Sequence, residues 1–275
     1  MNKLSRSLLG LSLVLTFGCI TAAQQNSQGN QSTPKVLQIT REYTKPGKAG
    51  MAHDMTESAF VQAMARAKWP THYVGMTSLS GKERALFLTS YDSFEAWEKD
   101  NSATRKDTAL SAALDRASVA DGELLDSVDE SVFVFHDELS LRTMTDLSHM
   151  RYLQVSVYHV RPGHDSEWNE LVKMVKVAYE KAVPDAHWGT YEQIYGGDGG
   201  TYIVLIARKT LAEVDRGPLE DKQFAAAMGE DGMKKLDELV SASIESSQHQ
   251  LFTFNPHMSY VADEWIKADP DFWKP

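Results

Sequence analysis

The chain has 275 residues, 38 acidic side chains against 28 basic ones, a formal net charge of −10 and a single cysteine. So negative a surface repels phosphate backbones and anionic head groups, which argues against a nucleic-acid or membrane-surface partner. One cysteine rules out internal disulfides, Cys-ligated zinc and iron–sulfur clusters, so apolar burial has to hold the fold.

Residues 1–23 read as an export signal. Lys3 and Arg6 form a basic start, Leu8 to Phe17 an apolar core, and Thr21-Ala22-Ala23 the small residues of a cleavage site. The apolar run is shorter than the ~20 residues of a membrane-crossing helix, so no transmembrane span is expected. Cleavage would place the protein in the periplasm or outside the cell, and lipid anchoring at Cys19 is the alternative processing. Residues 24–35, rich in Gln, Asn and Ser, read as a flexible leader.

Val36–Tyr43 alternates as a strand and is stopped by Pro46-Gly47. Met51, Met55, Ala59, Ala63 and Ala67, joined by Phe60 and Met64, recur at helical spacing and predict one apolar helix face. Strands follow at Thr71–Leu79 and Ala85–Tyr91 around a Ser80-Gly81-Lys82 turn. Asp92 and Glu95 have capping-box spacing ahead of a helical region that runs to about Val128. Val132–Asp137 then completes the order β-α-β-β-α-β.

After a linker at Leu141–His149 the order repeats. Arg151–His159 is a strand, and Trp168, Leu171, Val175 and Ala178 mark a helix face. His187–Tyr195 and Thr201–Ala207 form a hairpin around the run Gly196-Gly197-Asp198-Gly199-Gly200, which sits between strands and so reads as a turn rather than a phosphate cradle. Thr210 and Glu213 again have capping-box spacing, with a helical region at Phe224–Ser246 and a last strand at Leu251–Phe254. Residues 36–142 and 150–260 are thus two repeats. Residues 261–275 form a tail whose Trp265, Phe272 and Trp273 are expected to dock on the body.

The repetition is visible residue by residue. LQITREYTKPG at 37–47 is echoed by LQVSVYHVRPG at 153–163, and Tyr73-Val74-Gly75 by His187-Trp188-Gly189. Leu86 to Leu88 and Ile203 to Ile206 are apolar without alternation, as strands buried on both faces are. The expected fold is α+β: two tandem ferredoxin-like βαββαβ repeats packed sheet to sheet, each covering the other's open face and pairing its edges.

On these motifs and this order, residues 36–140 and 152–260 resemble the dimeric α/β-barrel (ferredoxin-like) superfamily. Its members include antibiotic-biosynthesis-monooxygenase-like, NIPSNAP-like and EthD-like proteins, with haem-binding relatives. The resemblance implies that the usual homodimer is fused into one pseudo-dimeric chain, itself a monomer or a homodimer. It also implies small-molecule pockets between each sheet and its helices.

Candidate site residues follow from strand positions. Gln38 and Gln154 share a place in the first strand of each repeat, where a buried amide serves either as a structural hydrogen bond or as a ligand contact. His72 and Tyr73 open one second strand, while His187, Trp188 and Tyr191 line the other. A neutral imidazole there can serve as base, proton donor or axial ligand. The two histidines are staggered by one residue between the copies, which turns them to opposite sheet faces. No HxxxH or HExxH spacing occurs, so no metal site is expected short of a zinc site assembled from distant strands.

The reading is an exported protein that binds a small apolar or aromatic molecule without a cofactor. The alternatives are a cofactor-independent monooxygenase-like oxidoreductase, with His187 or His72 as base and Tyr191 or Trp188 as the wall, and a haem protein using one of those histidines. Whether the chain is an enzyme stays open at this point, because no base, orienter and oxyanion donor share a spacing.

Overall fold

The computed structural model describes residues 33–143 and 146–274. The expected export signal, Cys19 and nearly all of the leader lie outside the described residues.

The first half contains β1 (Val36–Thr44), α1 (Met51–Ala67), β2 (Tyr73–Ser78), β3 (Arg84–Tyr91), α2 (Phe94–Lys106), α3 (Thr108–Gly122) and β4 (Leu125–Phe135). The second contains β5 (Tyr152–Val160), α4 (Asp165–Ala182), β6 (Gly189–Tyr195), β7 (Thr201–Arg208), α5 (Gly217–Ser243) and β8 (Ile244–Phe254), followed by the short helices α6 (Asp263–Ala268) and α7 (Pro270–Trp273). No helix among the described residues is long and apolar enough to cross a membrane.

The eight strands form one closed antiparallel barrel in the order β1-β3-β2-β8-β5-β7-β6-β4. Each half therefore contributes four neighbouring strands in the same internal order. The two four-stranded sheets do not simply lie face to face: they join edge to edge, β2 to β8 and β4 to β6. Both seams are short. β2 meets β8 over Met76–Ser78, and β4 meets β6 over Val132–Phe135.

Alternation along the strands sorts the core. Leu37 and Ile39 of β1, Met76, Leu86, Phe133, Leu153, Val155, Ile203, Phe252 and Phe254 fill the barrel interior. Their neighbours Phe87 and Tyr202 point the other way, toward the helices. This is why the runs at Leu86–Leu88 and Ile203–Ile206 show no polar alternation.

The tail docks as expected. Trp273 is buried against the barrel core, donates its indole N–H to the Ser148 carbonyl at 2.7 Å, and packs edge-on to Phe254 and Phe272. Arg151 pairs with Asp269 and lies over the Phe272 ring. Just before the tail, a short turn at Pro256–Met258 crosses β2 so closely that a Cβ on Gly75 would sit 2.4 Å from the Met258 carbonyl oxygen.

Three local expectations are corrected. The buried face of α1 is His53, Glu57 and Ala63, while Met51 and Met55 are 78% and 65% exposed. Sequence spacing alone could not choose between two overlapping stripes on that helix. The cap of α2 is Ser93, whose hydroxyl accepts from the Ala96 N–H, rather than Asp92, and Asp107 divides the following helical region into α2 and α3. Thr210 and Glu213 do form a reciprocal capping box.

The stagger of the histidines also disappears in the ladder. Ile39 stands opposite Leu88 and Val155 opposite Leu205, so these two pairs correspond. Leu88 in turn faces Val74, whereas Leu205 faces Gly189. The second strands have slipped by one residue relative to their glycines. His72 and His187 thus hold corresponding positions, as do Tyr73 and Trp188.

Candidate functional site

The helix-facing side of β1 carries Gln38, Thr40, Glu42 and Thr44, an unusually polar stripe for a sheet surface covered by helices. Across from it, α1 turns His53 and Glu57 inward one helical turn apart, and α3 ends on the buried Asp121. Three elements thereby bring four titratable groups to one place. His53 Nε2 lies 3.2 Å from Glu42 Oε2, 3.4 Å from Asp121 Oδ1 and 4.0 Å from Glu57 Oε1. Thr56, between the two helix residues, donates its hydroxyl to Asp121 Oδ1 at 2.6 Å.

Beside this group a cavity of about 200 Å³ opens between β1–β3 and the pair α1 and α3. Phe60, Met64, Phe87 and Leu114 supply its apolar wall, and Thr40, Glu42, Glu57 and Tyr73 its polar atoms. The Glu57 Oε1 oxygen and the Tyr73 hydroxyl are buried and have no hydrogen-bond partner. Burial, followed by the neighbouring Glu42 and Asp121 charges, pushes the Glu57 carboxyl up to about 10. Burial also raises Glu42, against the hydrogen bond from His53 that lowers it. The Tyr73 phenol is raised by burial and then by the Glu57 and Glu42 charges. At neutral pH the Glu57 carboxyl is protonated and shares a hydrogen bond with Glu42, which leaves its Oε1 and the Tyr73 hydroxyl as the polar atoms open to a ligand.

At the corresponding place in the second half, aromatic side chains pack together. Tyr158 and Tyr202 pack their rings at 5.2 and 5.1 Å from that of Trp168, which is 2% exposed. Leu171 and Leu239 complete that cluster.

Of the candidate site residues Gln38, His72, Tyr73, Gln154, His187, Trp188 and Tyr191, Tyr73 alone lines the cavity, together with Phe60 and Met64 of the expected helix face. His72 stacks on Tyr260 with ring centroids 4.8 Å apart. The two ring nitrogens of His187 face the carbonyl oxygens of Asp185 and Ala207 at 2.9 and 2.8 Å, which leaves no free lone pair directed at a substrate. Trp188 donates to the Leu139 carbonyl at 2.8 Å. Tyr191 faces the barrel interior against Phe135. Gln154 accepts from Arg208 at 3.0 Å, while Gln38 is half-buried in β1 away from the cavity lining.

The four clustered residues escaped sequence reading, although two signals were present. His53 and Glu57 have the i, i+4 spacing that puts both on one helix face. The even-numbered side of β1 is polar exactly where the element order demands a buried face.

No family model matches the chain, and no curated protein matches it. Its structure is similar to that of a candidate monooxygenase from Fusobacterium nucleatum subsp. nucleatum ATCC 25586, at 10% identity and a TM-score of 0.55, covering 81% of this chain and 93% of that one. Weaker likenesses are to a candidate monooxygenase from Lactobacillus acidophilus NCFM (7% identity, 81% and 94% covered, TM-score 0.48) and to a variant chlorite dismutase from Candidatus Nitrospira defluvii in complex with cyanide (10% identity, 86% and 95% covered, TM-score 0.47). The likeness to the Fusobacterium protein establishes the dimeric α/β-barrel fold for this chain, and a shared fold does not carry a shared reaction.

Proposed function

We propose that the chain is a binding protein for a small, mainly apolar or aromatic molecule, held in the cavity of the first half. One observation carries this reading: an apolar-walled space ends on two buried, unpaired polar atoms, Glu57 Oε1 and the Tyr73 hydroxyl. Orphaned buried groups cost about 1–3 kcal/mol each, so a ligand that reaches them gains both affinity and orientation. A phenol-sized molecule with one hydroxyl or carbonyl suits the dimensions. The test is a thermal-shift series with phenol, p-cresol and 1-naphthol. Stabilisation that is lost in Leu114→Trp, which fills the cavity, and weakened in Tyr73→Phe supports the reading. No shift with any of the three sinks it.

A monooxygenase-like reaction is the second reading, favoured by the acid–base character of the same wall. His53 and Glu42 form a hydrogen-bonded pair that can take up a proton, next to a Glu57 carboxyl that can donate one. The base in such a reaction would be this pair in place of His187 or His72. Haem does not fit this cavity: none of its lining residues is a histidine, so it offers no axial imidazole.

The wider readings rest on sequence and topology together. The matching strand order of the halves supports a homodimer fused into one chain, with the second site lost as aromatic side chains filled it. The basic, apolar and small-residue order of residues 1–23 supports export.

A further inference from the structure

We infer that Glu42, His53, Glu57 and Asp121 form a binding site for one divalent first-row transition-metal ion of the Mn²⁺, Fe²⁺, Co²⁺ or Zn²⁺ class. The inference goes beyond the binding reading, because the ion would sit at the carboxylate end of the cavity whether or not an organic molecule occupies the rest.

Geometry is the first support. One ligand atom from each of the four residues lies within 4.8 Å of every other. Atoms bound at ~2.1 Å to a common ion are separated by roughly 3.0–3.4 Å in octahedral or tetrahedral arrangements. The observed separations from His53 Nε2 are 3.2, 3.4 and 4.0 Å. Three carboxylate oxygens converge on one imidazole nitrogen, and that nitrogen has a single proton with which to answer them.

Charge is the second. Among the described residues the ion pairs of Glu42, Glu57 and Asp121 are with His53 and with no lysine or arginine, so two buried carboxyls and a half-buried one meet without a fixed cation. Glu57 Oε1 is unpaired although the residue is only 3% exposed, and it faces the others. Such an orphan is what a missing ligand leaves behind.

The surroundings are those of a supported site. Thr56 holds Asp121 Oδ1 from behind, and its hydroxyl also reaches the His53 carbonyl at 3.0 Å. Outer hydrogen bonds of this kind orient metal-binding side chains. The donor set is one imidazole with carboxylate oxygens and no thiolate, which suits the intermediate metals rather than Cu⁺. Glu42 and Glu57 also line the cavity, so an ion held by them would keep a coordination position directed at the apolar space.

The test uses the full chain without an affinity tag, stripped with EDTA and then dialysed separately against Mn²⁺, Co²⁺ and Zn²⁺ in the absence of any organic ligand. Expected are about one ion per chain by plasma mass spectrometry, a visible Co²⁺ absorption band and a raised melting temperature. Glu57→Gln and His53→Gln should each weaken binding by at least ~10–100-fold while keeping the far-UV circular dichroism of the parent. If either variant unfolds, Asp121→Asn carries the same expected loss. The inference is overturned if the parent chain takes up no stoichiometric ion. Unchanged affinity in the folded variants overturns it equally, since that would place the ion elsewhere, for instance on His136 with Glu138 and Glu192. Both readings use the Glu57 carboxyl, so the phenol series is run on the EDTA-stripped chain and the metal series without phenols, and each reading then fails on its own.

Discussion

Glu42 and Tyr158 hold the same ladder position in their halves, each five residues past a leucine paired with a phenylalanine, Leu37 with Phe133 and Leu153 with Phe252. Glu42 opens onto a cavity, whereas Tyr158 packs against Trp168 and helps to close one. At this one position a carboxylate that opens onto the candidate site is exchanged for a ring packed into an aromatic cluster.

The site should weigh on stability. Glu57→Met replaces a buried carboxyl with an unpaired oxygen by an apolar side chain of similar length. In chelated, ligand-free protein the variant is expected to be more stable by about 1–3 kcal/mol in urea denaturation, while losing phenol-dependent stabilisation. A less stable variant would mean that Glu57 supports the apo fold rather than a ligand.

The tail should behave as part of the core. Trp273 is 4% exposed and bridges to the Ser148 carbonyl. Trp273→Ala is expected to cost about 3–5 kcal/mol, read as a lowered denaturation midpoint with an unchanged slope. A change under about 1 kcal/mol would show the tail to be a dispensable appendage.

Neither half should stand alone. A fragment of residues 33–143 leaves β2 without β8, β4 without β6 and Phe133, Leu86 and Met76 uncovered. It is expected to dimerise or aggregate in light scattering. A stable monomeric fragment would remove the fused-dimer reading.

His72 gives a pH signature. Burial, opposed by the Glu264 and Asp263 charges, lowers its pKa below the ordinary 6.5. The unfolded chain then binds the proton more readily than the folded one, so this residue reduces stability as pH falls through about 6.5 and has no effect well above it. His72→Phe, which keeps a ring against Tyr260, should lose less melting temperature than the parent between roughly pH 7.5 and roughly pH 5.5. Parallel losses would assign the pH dependence to other groups.

Element order was legible because it rests on periodicity and on a repeated motif, signals that survive without tertiary information, whereas the helical regions expected to reach about Val128 and Ser246 end sooner, with β4 starting at Leu125 and β8 at Ile244. Leu37-Gln38 and Leu153-Gln154 marked corresponding strands, and the capping box at Thr210 was readable from spacing alone. The site was not legible because its four residues come from three elements that meet only in space. The stripe of methionines on α1 was misleading for a related reason. Helical spacing reports that residues share a face but not which face is covered, and here Met51 and Met55 point to water while His53 and Glu57 turn in. Likewise His187 looked available until its neighbours were known, since nothing in sequence reports that two backbone carbonyls would occupy its ring.

The short seams have one more effect. Asp126 to Asp129 of β4 and Glu245 to His249 of β8 run past the point where a strand of the other half pairs with them, and they are exposed. These overhanging stretches are where a neighbouring molecule could add a strand of its own, and acidic, amide and hydroxyl side chains occupy them almost throughout. The short seams that leave this backbone unpaired on one side thus also set Asp126, Asp129 and Glu245 beside it, and charge at an open edge opposes the addition of a strand from a second copy.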